Sequence, residues 1–418
     1  MKKKISIVLI GMVVLGMVGC GGADMGNPGG TDVIAQETEV TLTETALEES
    51  EETQIAESEI PGEEVTDKES AGTESPETET VQEPVEPEVV QITINAVGDI
   101  TLGTNQKHSY KNSFHEYYDN YGHEYFLKNV KSIFETDDFT IGNLEGTLTE
   151  SDNLNPKLWN HKGKPEYVSV LTCASVEAVS LGNNHIMDYN QEGADDTIKY
   201  VSEAGIEYAL SGEWGNHYGL YETEKGITIG FVSVNEHYDE EACYPMLEDG
   251  LKTLREAGAD LVIACTHWGG DKVYELEPEQ YIMGKWCIDK GYDVVLGCHS
   301  HLLQGIEYYK GKYIVHCMGN FCYGGNKNPD DKETMIWQQT FTFVDGVLQE
   351  DSDVTIIPCR LSSVSTTNDY CPVVVEGEEA ETIIKHINER SEEFGVKFDN
   401  NGKHIKETQN EKTETAEE

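Results

Sequence analysis

Six short polar motifs each follow an apolar run of the chain, and this recurring arrangement constrains the fold most strongly. In chain order the motifs are Gly98-Asp99, Asn143-Leu144-Glu145, Gly182-Asn183-Asn184-His185, His267-Trp268-Gly269, Gly297-Cys298-His299-Ser300-His301 and Gly319-Asn320-Phe321. Helical patterns separate several of the apolar runs, which predicts βαβ units and a largely parallel sheet. Because parallel strands end at the same edge of a sheet, we expect the motifs to converge on one crevice.

The period of the apolar residues and the glycines that end helices predict the individual elements. Strands are predicted at residues 91–97, 139–142, 178–181, 206–210, 227–234, 261–265, 294–296 and 313–317, and antiparallel strands at 335–344 and 354–358. Helices are predicted within 114–134 and at 191–204, 245–257, 278–290 and 382–394.

The first 20 residues have the pattern of an export signal. A cationic stretch at residues 2–4 precedes an apolar run at 5–18, which is shorter than the roughly 20 residues of a membrane span. The run ends in Met17-Val18-Gly19-Cys20, which resembles a bacterial lipobox, where the cysteine is lipidated and the signal is removed. We therefore expect a lipid anchor on Cys20 at the extracytoplasmic face of the cell membrane. Ordinary signal cleavage and an uncleaved anchor are the alternatives.

Residues 21–90 differ in composition from the rest of the chain. They are rich in Glu, Thr, Ser and Pro, contain no aromatic residue, and have Lys68 as their one basic residue. Such a segment cannot bury enough apolar surface to offset its ordering entropy. The chain is therefore predicted to consist of a lipoprotein signal peptide (1–20), a disordered acidic linker (21–90), a folded domain (91–398) and a disordered polar tail (399–418).

Charge and cysteine usage exclude two classes of site. The formal net charge of −49 over 418 residues argues against nucleic-acid binding, which requires a basic face. The ten cysteines contain no C-x-x-C pair, so a zinc ribbon is not expected. Four of them, Cys265, Cys298, Cys317 and Cys322, lie in apolar runs and are predicted to be buried thiols. A disulfide between Cys359 and Cys371 is left open, since an exported protein can form one.

Carboxylate and amide side chains occupy the early motifs. Asp99 directly follows an apolar strand, where a ligand or a catalytic group is common, although Gly-Asp is also an ordinary turn. Asn143 and Glu145 are two residues apart, so in an extended chain their side chains point to the same face. Both could therefore face the crevice.

Imidazole side chains occupy the later motifs. His185 can bind a metal or transfer a proton, and Asp188 could orient it by a hydrogen bond. The alternative is a turn in which Asn183 and Asn184 cap the next helix. His299 and His301, two apart on a segment that we expect to be extended, can share one or two metals.

Taken together, the six motifs resemble those of the calcineurin-like metallophosphoesterases, and in detail those of the CapA family of poly-γ-glutamate capsule synthesis proteins. The resemblance covers about residues 91–345. It implies an α/β fold, a metallophosphoesterase-like layered α/β/β/α sandwich. Two positions depart from the wider superfamily: Thr101 stands where it has a histidine, and Gly142-Asn143 stands where it has Gly-Asp.

The resemblance also assigns roles to individual residues. The implied metal ligands are Asp99, Asn143, Glu145, Asn184, His267, His299 and His301. Asp99 and His301 would bind one ion, and Asn184, His267 and His299 the second. The superfamily's bridging position falls near Asn143, and a carboxylate, Glu145, stands two residues later. His185 and Asp188 would be the catalytic pair, with His185 protonating a leaving group, and Asn320 would shape the rim.

Three functions are compatible with this pattern. The first is a cell-surface lipoprotein that acts in synthesis, export or anchoring of poly-γ-glutamate or a similar polymer, with one or two divalent ions (Mn, Zn or Fe). The second is a polymer-binding scaffold without catalysis, and the third is a secreted metal-dependent phosphodiesterase or nucleotidase. The partners expected are an anionic envelope polymer, membrane polymer-synthesis proteins and, through lipidated Cys20, the membrane, but no nucleic acid.

Overall fold

The computed structural model describes residues 86–211, 216–237, 240–350 and 352–406. Its strands are β1 Val89–Thr101, β2 Thr104–Asn105, β3 Phe139–Leu144, β4 Thr147–Leu148, β5 His161–Gly163, β6 Ala178–Ser180, β7 Glu207–Ala209, β8 Tyr218–Glu222, β9 Thr228–Asn235, β10 Leu261–His267, β11 Val294–Cys298, β12 Ile306–Tyr309, β13 Lys312–Val315, β14 Asn320–Tyr323, β15 Glu333–Val344, β16 Val347–Leu348, β17 Asp353–Arg360 and β18 Val373–Val374. Its helices are α1 Phe114–Tyr121, α2 Lys131–Phe134, α3 Ser169–Thr172, α4 Asn190–Glu203, α5 Glu240–Glu256, α6 Pro278–Lys290 and α7 Glu378–Arg390, with 3₁₀ turns at His123–Tyr125, Pro165–Val168 and Glu392–Phe394. The predicted signal peptide, Cys20 and nearly all of the acidic linker lie outside these ranges.

Two mixed sheets form the centre of the domain. The first has nine strands in the order β18-β17-β15-β1-β3-β6-β7, with β14 paired to β1 and β16 to β15. Its strands β1, β3, β6 and β7 are parallel. The second has six strands in the order β12-β13-β11-β10-β9-β8, of which β9, β10, β11 and β13 are parallel. A small sheet, β2-β5-β4, stands apart from both. The predicted parallel core is therefore confirmed, divided between two sheets.

Apolar side chains form three layers around the sheets. The central layer joins the inner faces of both sheets, for example Ile94 and Ile141 of the first with Ile263 and Leu296 of the second. The second layer packs α1, α2, α3 and α4 on the outer face of the first sheet. The third packs α5 and α6 on the outer face of the second sheet. This order of layers is the predicted α/β/β/α sandwich, because each sheet buries one face on the other and one face on helices.

Several element boundaries differ from the prediction for identifiable reasons. The helix predicted within 114–134 is broken into α1, a 3₁₀ turn and α2, because Gly122 at φ +74° ends α1. Helix α5 begins five residues before the predicted start and includes Pro245, since Cys243 and Leu247 on either side of it are fully buried. Helix α6 matches its prediction, with a capping box at Glu277 and Gly291 in the left-handed conformation.

The polar segment after residue 398 begins with ordered residues, contrary to the disordered tail that was predicted for 399–418. Ile356 donates its backbone N–H to the Gly402 carbonyl at 2.8 Å, and Thr355 pairs with Lys403. The ordered part of the domain therefore includes residues 399–406, because backbone pairing with β17 orders a segment whose side chains are polar. Residues 407–418 of the predicted tail lie outside the described ranges.

The cysteines are thiols throughout the described part of the chain. Cys265, Cys298, Cys317 and Cys322 are buried, as predicted, and Cys359 and Cys371 are free, so the disulfide left open between them is not formed. Among the helices of these residues, none combines the length and the hydropathy that crossing a membrane requires.

A half-buried carboxyl next to the start of β3 gives the domain a pH-dependent stability. Asp137 accepts hydrogen bonds from Asn95 and Thr140, both at 2.6 Å, and burial together with the neighbouring Glu177 raises its pKa to about 7. A carboxyl with a raised pKa stabilises the fold below its unfolded pKa, and this contribution is lost as pH rises through the folded pKa. We expect Asp137→Asn to raise Tm by about 2–4 °C at pH 8, and to have little effect at pH 5, in thermal unfolding followed by circular dichroism.

The adjacent carboxylate provides a matched control. Asp138 pairs with Lys225 at 2.8 Å and accepts the Thr93 N–H at 2.8 Å. Asp138→Asn removes a satisfied charge pair, so its Tm should fall at pH 8. An Asp137→Asn variant that also loses stability at pH 8 would contradict the argument from burial.

Candidate metal centre

The six motifs do converge, five of them at the carboxyl ends of strands from both large sheets and the sixth at the start of β14. In the register of the first sheet, Asp99 lies opposite Asn143 of β3 and Asn320 of β14. In the second sheet, His267 at the end of β10 lies opposite Cys298, which precedes His299. Asp99 and His301 are joined at 3.1 Å between Oδ2 and Nδ1. The predicted convergence on one crevice is therefore confirmed.

The glycines before the ligands allow neighbouring backbones to approach closely. Asp99 donates its N–H to the Gly319 carbonyl at 2.9 Å. A Cβ atom on Gly98 would lie 1.8 Å from that same oxygen, and one on Gly297 would lie 2.1 Å from the His316 carbonyl oxygen. Since real Cβ atoms do not approach so closely, glycine is required at both positions.

Gly98→Ala is accordingly expected to destabilise the domain by about 3 kcal/mol, which lowers Tm by roughly 5–10 °C. The new Cβ would clash with the backbone carbonyl oxygen of Gly319, which cannot move without shifting Asp99. Gly142→Ala on the neighbouring strand is the matched control, because its Cβ would meet the end of the Ile100 side chain at 2.7 Å, and a side chain can repack. Equal melting temperatures for the two variants would contradict this reading.

The first cluster of candidate ligands, here called the oxygen-rich group, contains Asp99, Glu145 and His301. His301 Nδ1 is also 2.9 Å from the Asn320 Oδ1. Burial opposes a charge on His301, but the Glu145 and Asp99 carboxylates outweigh it and raise its pKa to about 10. A protonated imidazole thus has the charge that a bound cation would supply at this place.

The second cluster, here called the nitrogen-rich group, contains Glu145, His267 and His299. His299 Nδ1 lies 3.0 Å from His267 Nε2, which is also 3.3 Å from the Asn184 Oδ1. Burial lowers the pKa of His267 well below its ordinary value and that of His299 to about 2. Both rings are therefore neutral at physiological pH, the state in which imidazole binds metal.

Glu145 belongs to both groups and is the centre of the site. It is fully buried, and neither carboxylate oxygen has a hydrogen-bond partner within the described part of the chain. The nearest ring nitrogens are those of His185 and His301 at 3.8 Å and His267 at 3.9 Å. Burial raises the pKa of Glu145 to about 8. An unpartnered buried carboxylate at this spacing from imidazoles is costly without a cation, so the donor set fits one or two divalent ions.

Asn143 lies between the two groups. Its amide nitrogen is 2.7 Å from Asp99 Oδ1 and 3.3 Å from His267 Nδ1, and its oxygen accepts a hydrogen bond from Asn183 at 3.2 Å. In this orientation Asn143 acts as a hydrogen-bond donor, and binding a metal through its oxygen would require the amide to turn over. Its role as a ligand stays a prediction.

His185 is oriented by a buried carboxylate, as predicted for Asp188. His185 Nδ1 lies 2.8 Å from Asp188 Oδ2, and Lys157 forms an ion pair with the other oxygen of Asp188. Burial, and then Lys157 and His301, lower the pKa of His185 well below its ordinary value. When the neutral ring donates Nδ1–H to Asp188, its Nε2 faces Glu145 with a free lone pair.

Three site residues had no sequence signal. Lys157 also donates to the Asn184 carbonyl at 2.7 Å. The His161 ring lies 4.3 Å from that of His185, and the His237 ring lies 3.9 Å from that of His299. None of the three stands in a motif: Lys157 and His237 lie on loops, and His161 begins the short strand β5.

The segment that carries the last two histidines is not extended, contrary to the prediction. His299 has φ +106° and His301 has φ +60°, conformations that cost free energy for residues with a Cβ. The result is that His299 points to His267 and His301 points to Asp99. The two imidazoles therefore serve different groups, and the strained backbone is the reason.

A cleft of about 740 Å³ opens onto this centre. His185, His299, His301 and Asn184 line its inner end, and Trp159 and Tyr274 line it further out. Asn320, predicted for the rim, lines it beside His301. The cleft is large enough for a substrate much larger than a phosphate group.

The family described as "Bacterial capsule synthesis protein PGA_cap" matches residues 93–324. A capsule biosynthesis protein CapA of Bacillus anthracis is 29% identical over 254 residues, 56% of this chain and 60% of that protein. The PGA biosynthesis protein CapA of Bacillus subtilis is 26% identical over 264 residues, 56% of this chain and 63% of that protein. The chain thus spans about three fifths of the length of these curated relatives.

Two solved structures are similar at lower identity. A hypothetical protein from Thermus thermophilus aligns with a TM-score of 0.39 at 16% identity, over 63% of this chain and 99% of that one. A 5'-nucleotidase from Candida albicans aligns with a TM-score of 0.40 at 13% identity, over 73% of this chain and 59% of that one.

Proposed function

Because the chain belongs to the bacterial capsule synthesis protein PGA_cap family, we propose that it is an accessory protein in synthesis, export or anchoring of a capsule polymer. The relatives named above act in capsule and PGA biosynthesis, which supports poly-γ-glutamate or a similar polyanion as the polymer. We further propose that the protein acts through metal-dependent hydrolase-type chemistry. The observation that carries this step is Glu145, a buried carboxylate shared by two groups of candidate ligands.

The donor sets suit divalent ions such as Mn²⁺, Zn²⁺ or Fe²⁺. When bound, such ions supply Lewis-acid activation of a carbonyl or phosphoryl oxygen and of an attacking water. The residues of the chain would hold the ions, orient the proton-transfer group and exchange a proton. Glu145 holds the two groups together, Asp188 fixes the ring of His185, and the Nε2 of His185 exchanges a proton with the reacting groups.

The charge of the cleft supports a role for cations in binding a polyanion. Beyond the inner end, the acidic residues Asp271, Asp330, Asp331 and Glu333 outnumber the basic residues Lys272 and Arg390. An anionic polymer would be repelled by this lining. Divalent ions at the inner end would supply the positive charge that attracts it.

Metal analysis of the purified full chain tests the proposal. We expect one or two equivalents of divalent metal in the parent, and less in His299→Ala and His301→Ala. His217→Ala is the control, because His217 pairs with the surface residue Asp249, outside both groups. A parent protein without stoichiometric metal would refute the hydrolase chemistry and favour the polymer-binding scaffold.

A phosphodiesterase or nucleotidase is the second candidate, favoured by the position of His185 beside the two groups. Generic phosphodiesters and nucleotides, assayed with Mn²⁺ or Zn²⁺, would test it against poly-γ-glutamate as a substrate. Turnover of phosphodiesters alone would support the second candidate over the capsule role.

We also propose that the protein is anchored to the membrane through lipidated Cys20, on the strength of the Met17–Cys20 motif. Cys20→Ser should release the protein from the membrane fraction, measured by fractionation of cells that express each form. A variant that stays in the membrane fraction would favour an uncleaved anchor.

A further inference from the structure

We propose that a second cavity beside the cleft is a carboxylate subsite, in which Lys162 binds an acidic group of the polymer next to the unit that lies at the metal centre. This inference rests on the proposed function, since it takes a polyanion such as poly-γ-glutamate as the ligand. It adds the direction in which the polymer extends from the centre and the charged residue that recognises it.

The second cavity has a volume of about 380 Å³, and His108 lines both this cavity and the cleft. Its lining includes Thr104 of β2 and Lys162 of β5, which lie opposite each other in the antiparallel register of the two strands. Successive side chains of a strand point to opposite faces, so Lys162 points away from the face that His161 occupies. The His161 ring lies 4.3 Å from that of His185. Strand β5 therefore contributes one side chain beside the proton-transfer group and the next one to the cavity.

Lys162 is held in position, but its bond to a carboxylate is exposed to solvent. Its Nζ donates to the Ser151 carbonyl at 2.7 Å and lies 4.8 Å from the centre of the Tyr189 ring. Its ion-pair partner at 2.9 Å is Asp152, whose side chain is 98% exposed. Such an exposed ion pair contributes little to stability, so a carboxylate of the polymer can replace Asp152 at the ammonium.

Buried hydrogen-bond donors in the lining of the cavity lack acceptors. Thr104 is 6% exposed and Asn105 is fully buried, and both line the cavity. Within the described part of the chain, the Thr104 hydroxyl and the Asn105 amide nitrogen have no hydrogen-bond partner. A buried donor without an acceptor costs free energy, and an ionised carboxylate offers acceptors only. A carboxylate bound beside Lys162 would supply the acceptors that are missing.

The charges around the cavity favour an anion more than those at the outer end of the cleft. Burial lowers the pKa of both imidazoles in the lining, and a nearby ammonium lowers it further, Lys327 for His108 and Lys164 for His115. The outer end of the cleft instead has more acidic than basic residues. A polyanion bound at the centre should therefore extend toward the cavity.

Binding of γ-linked glutamate oligomers of defined length to the full, metal-loaded chain tests the subsite. Lys162→Gln should weaken binding of the longer oligomers by about tenfold, because a charge-assisted contact is lost, and should leave binding of glutamate itself unchanged. Asp152→Asn should strengthen binding of the same oligomers, since it removes the competing carboxylate. Isothermal titration calorimetry at physiological ionic strength measures both effects, and the metal content shows that the centre is intact.

Lys164→Gln is the matched control. Lys164 carries the same charge two residues away, but it pairs with Asp119 and Glu166 and does not line the cavity. Its variant should change the affinity for the oligomers by less than about twofold, since salt screens charges that do not touch the ligand.

Equal affinities of Lys162→Gln and the parent for the longer oligomers would overturn the subsite and leave the proposed function intact. The gain expected in Asp152→Asn does not depend on how well Lys162→Gln folds, and its absence would likewise overturn the subsite. Glutamate that binds as tightly as the oligomers and depends on Lys162 would show that the cavity takes a free carboxylate, not a unit of the polymer. A parent chain that binds no oligomer would overturn both the subsite and poly-γ-glutamate as the polymer.

Discussion

Glu145→Gln is expected to leave the protein folded and to weaken binding of both metal ions by more than about 100-fold, beyond the loss caused by changing groups that only support a ligand. Glu145 is the residue that both groups share, so its loss removes an anionic ligand from each. Glutamine has nearly the same shape but no charge. Any metal-dependent turnover should fall with the metal content, measured by mass spectrometry of the bound elements.

The same substitution should change how stability depends on pH once metal has been removed by chelation. Burial raises the pKa of Glu145 from 4.5 to about 8, so its protonated form stabilises the fold below pH 4.5. That contribution is lost as pH rises through about 8. Glu145→Gln should therefore have a higher Tm than the chelated parent at pH 8, with a smaller difference at pH 5.

Glu177→Gln is the matched control for this charge change. Glu177 is another carboxyl whose pKa burial raises to about 7, but it accepts the Thr140 N–H next to the start of β6, at the end opposite the motifs. Its variant should keep the full metal content. If Glu145→Gln also kept both ions, the two groups would not share a bridging carboxylate and the proposed centre would be wrong.

His185→Gln is expected to retain metal and to lose turnover by about 10²–10⁴-fold, the usual contribution of a positioned proton-transfer group. His185 is not a member of either metal group, and its Nδ1 is held by Asp188. Removing the ring therefore removes proton exchange at Nε2 while leaving the ligands in place. Initial rates on the substrate found in the assays above, together with metal content, separate the two effects.

Two outcomes would contradict the assignment of proton transfer to His185 and of metal binding to the two groups. Loss of metal in His185→Gln would make His185 a ligand, and unchanged turnover would exclude it from proton transfer. His217→Gln, which alters a surface ion pair outside the site, should match the parent in both measurements.

The sequence was sufficient to predict the α/β class and the place where the site forms. Parallel strands of one sheet end at a common edge, so the motifs at the ends of β1 and β3 could be expected to meet, as could those at the ends of β10 and β11. Asp99 and His301 also meet, across the two sheets. The layered sandwich followed from the resemblance of the motifs, and the packing of both sheets confirms it.

Other parts of the site depend on contacts that no local pattern encodes. Lys157 and His237 lie on loops and His161 begins the short strand β5. Their positions are fixed by partners distant in sequence, such as Asp188 for Lys157. The positive φ values of His299 and His301 arise from the surrounding packing, since propensity alone would disfavour them. Residues 399–406 were predicted to be disordered for the same reason. A backbone hydrogen bond to β17 orders them, and amino-acid composition does not predict such a bond.

The candidate ligands come from both sheets of the sandwich, so a bound ion would affect the stability of the whole domain. Glu145 follows a strand of the first sheet, whereas His267 ends a strand of the second and His299 follows one. An ion bound by these residues would link the two sheets, so unfolding of the domain would have to release the ion. Ion at a thousand times its Kd adds about 4 kcal/mol to stability. The lifetime of the protein against heat and proteases would then track the supply of trace metal around the cell.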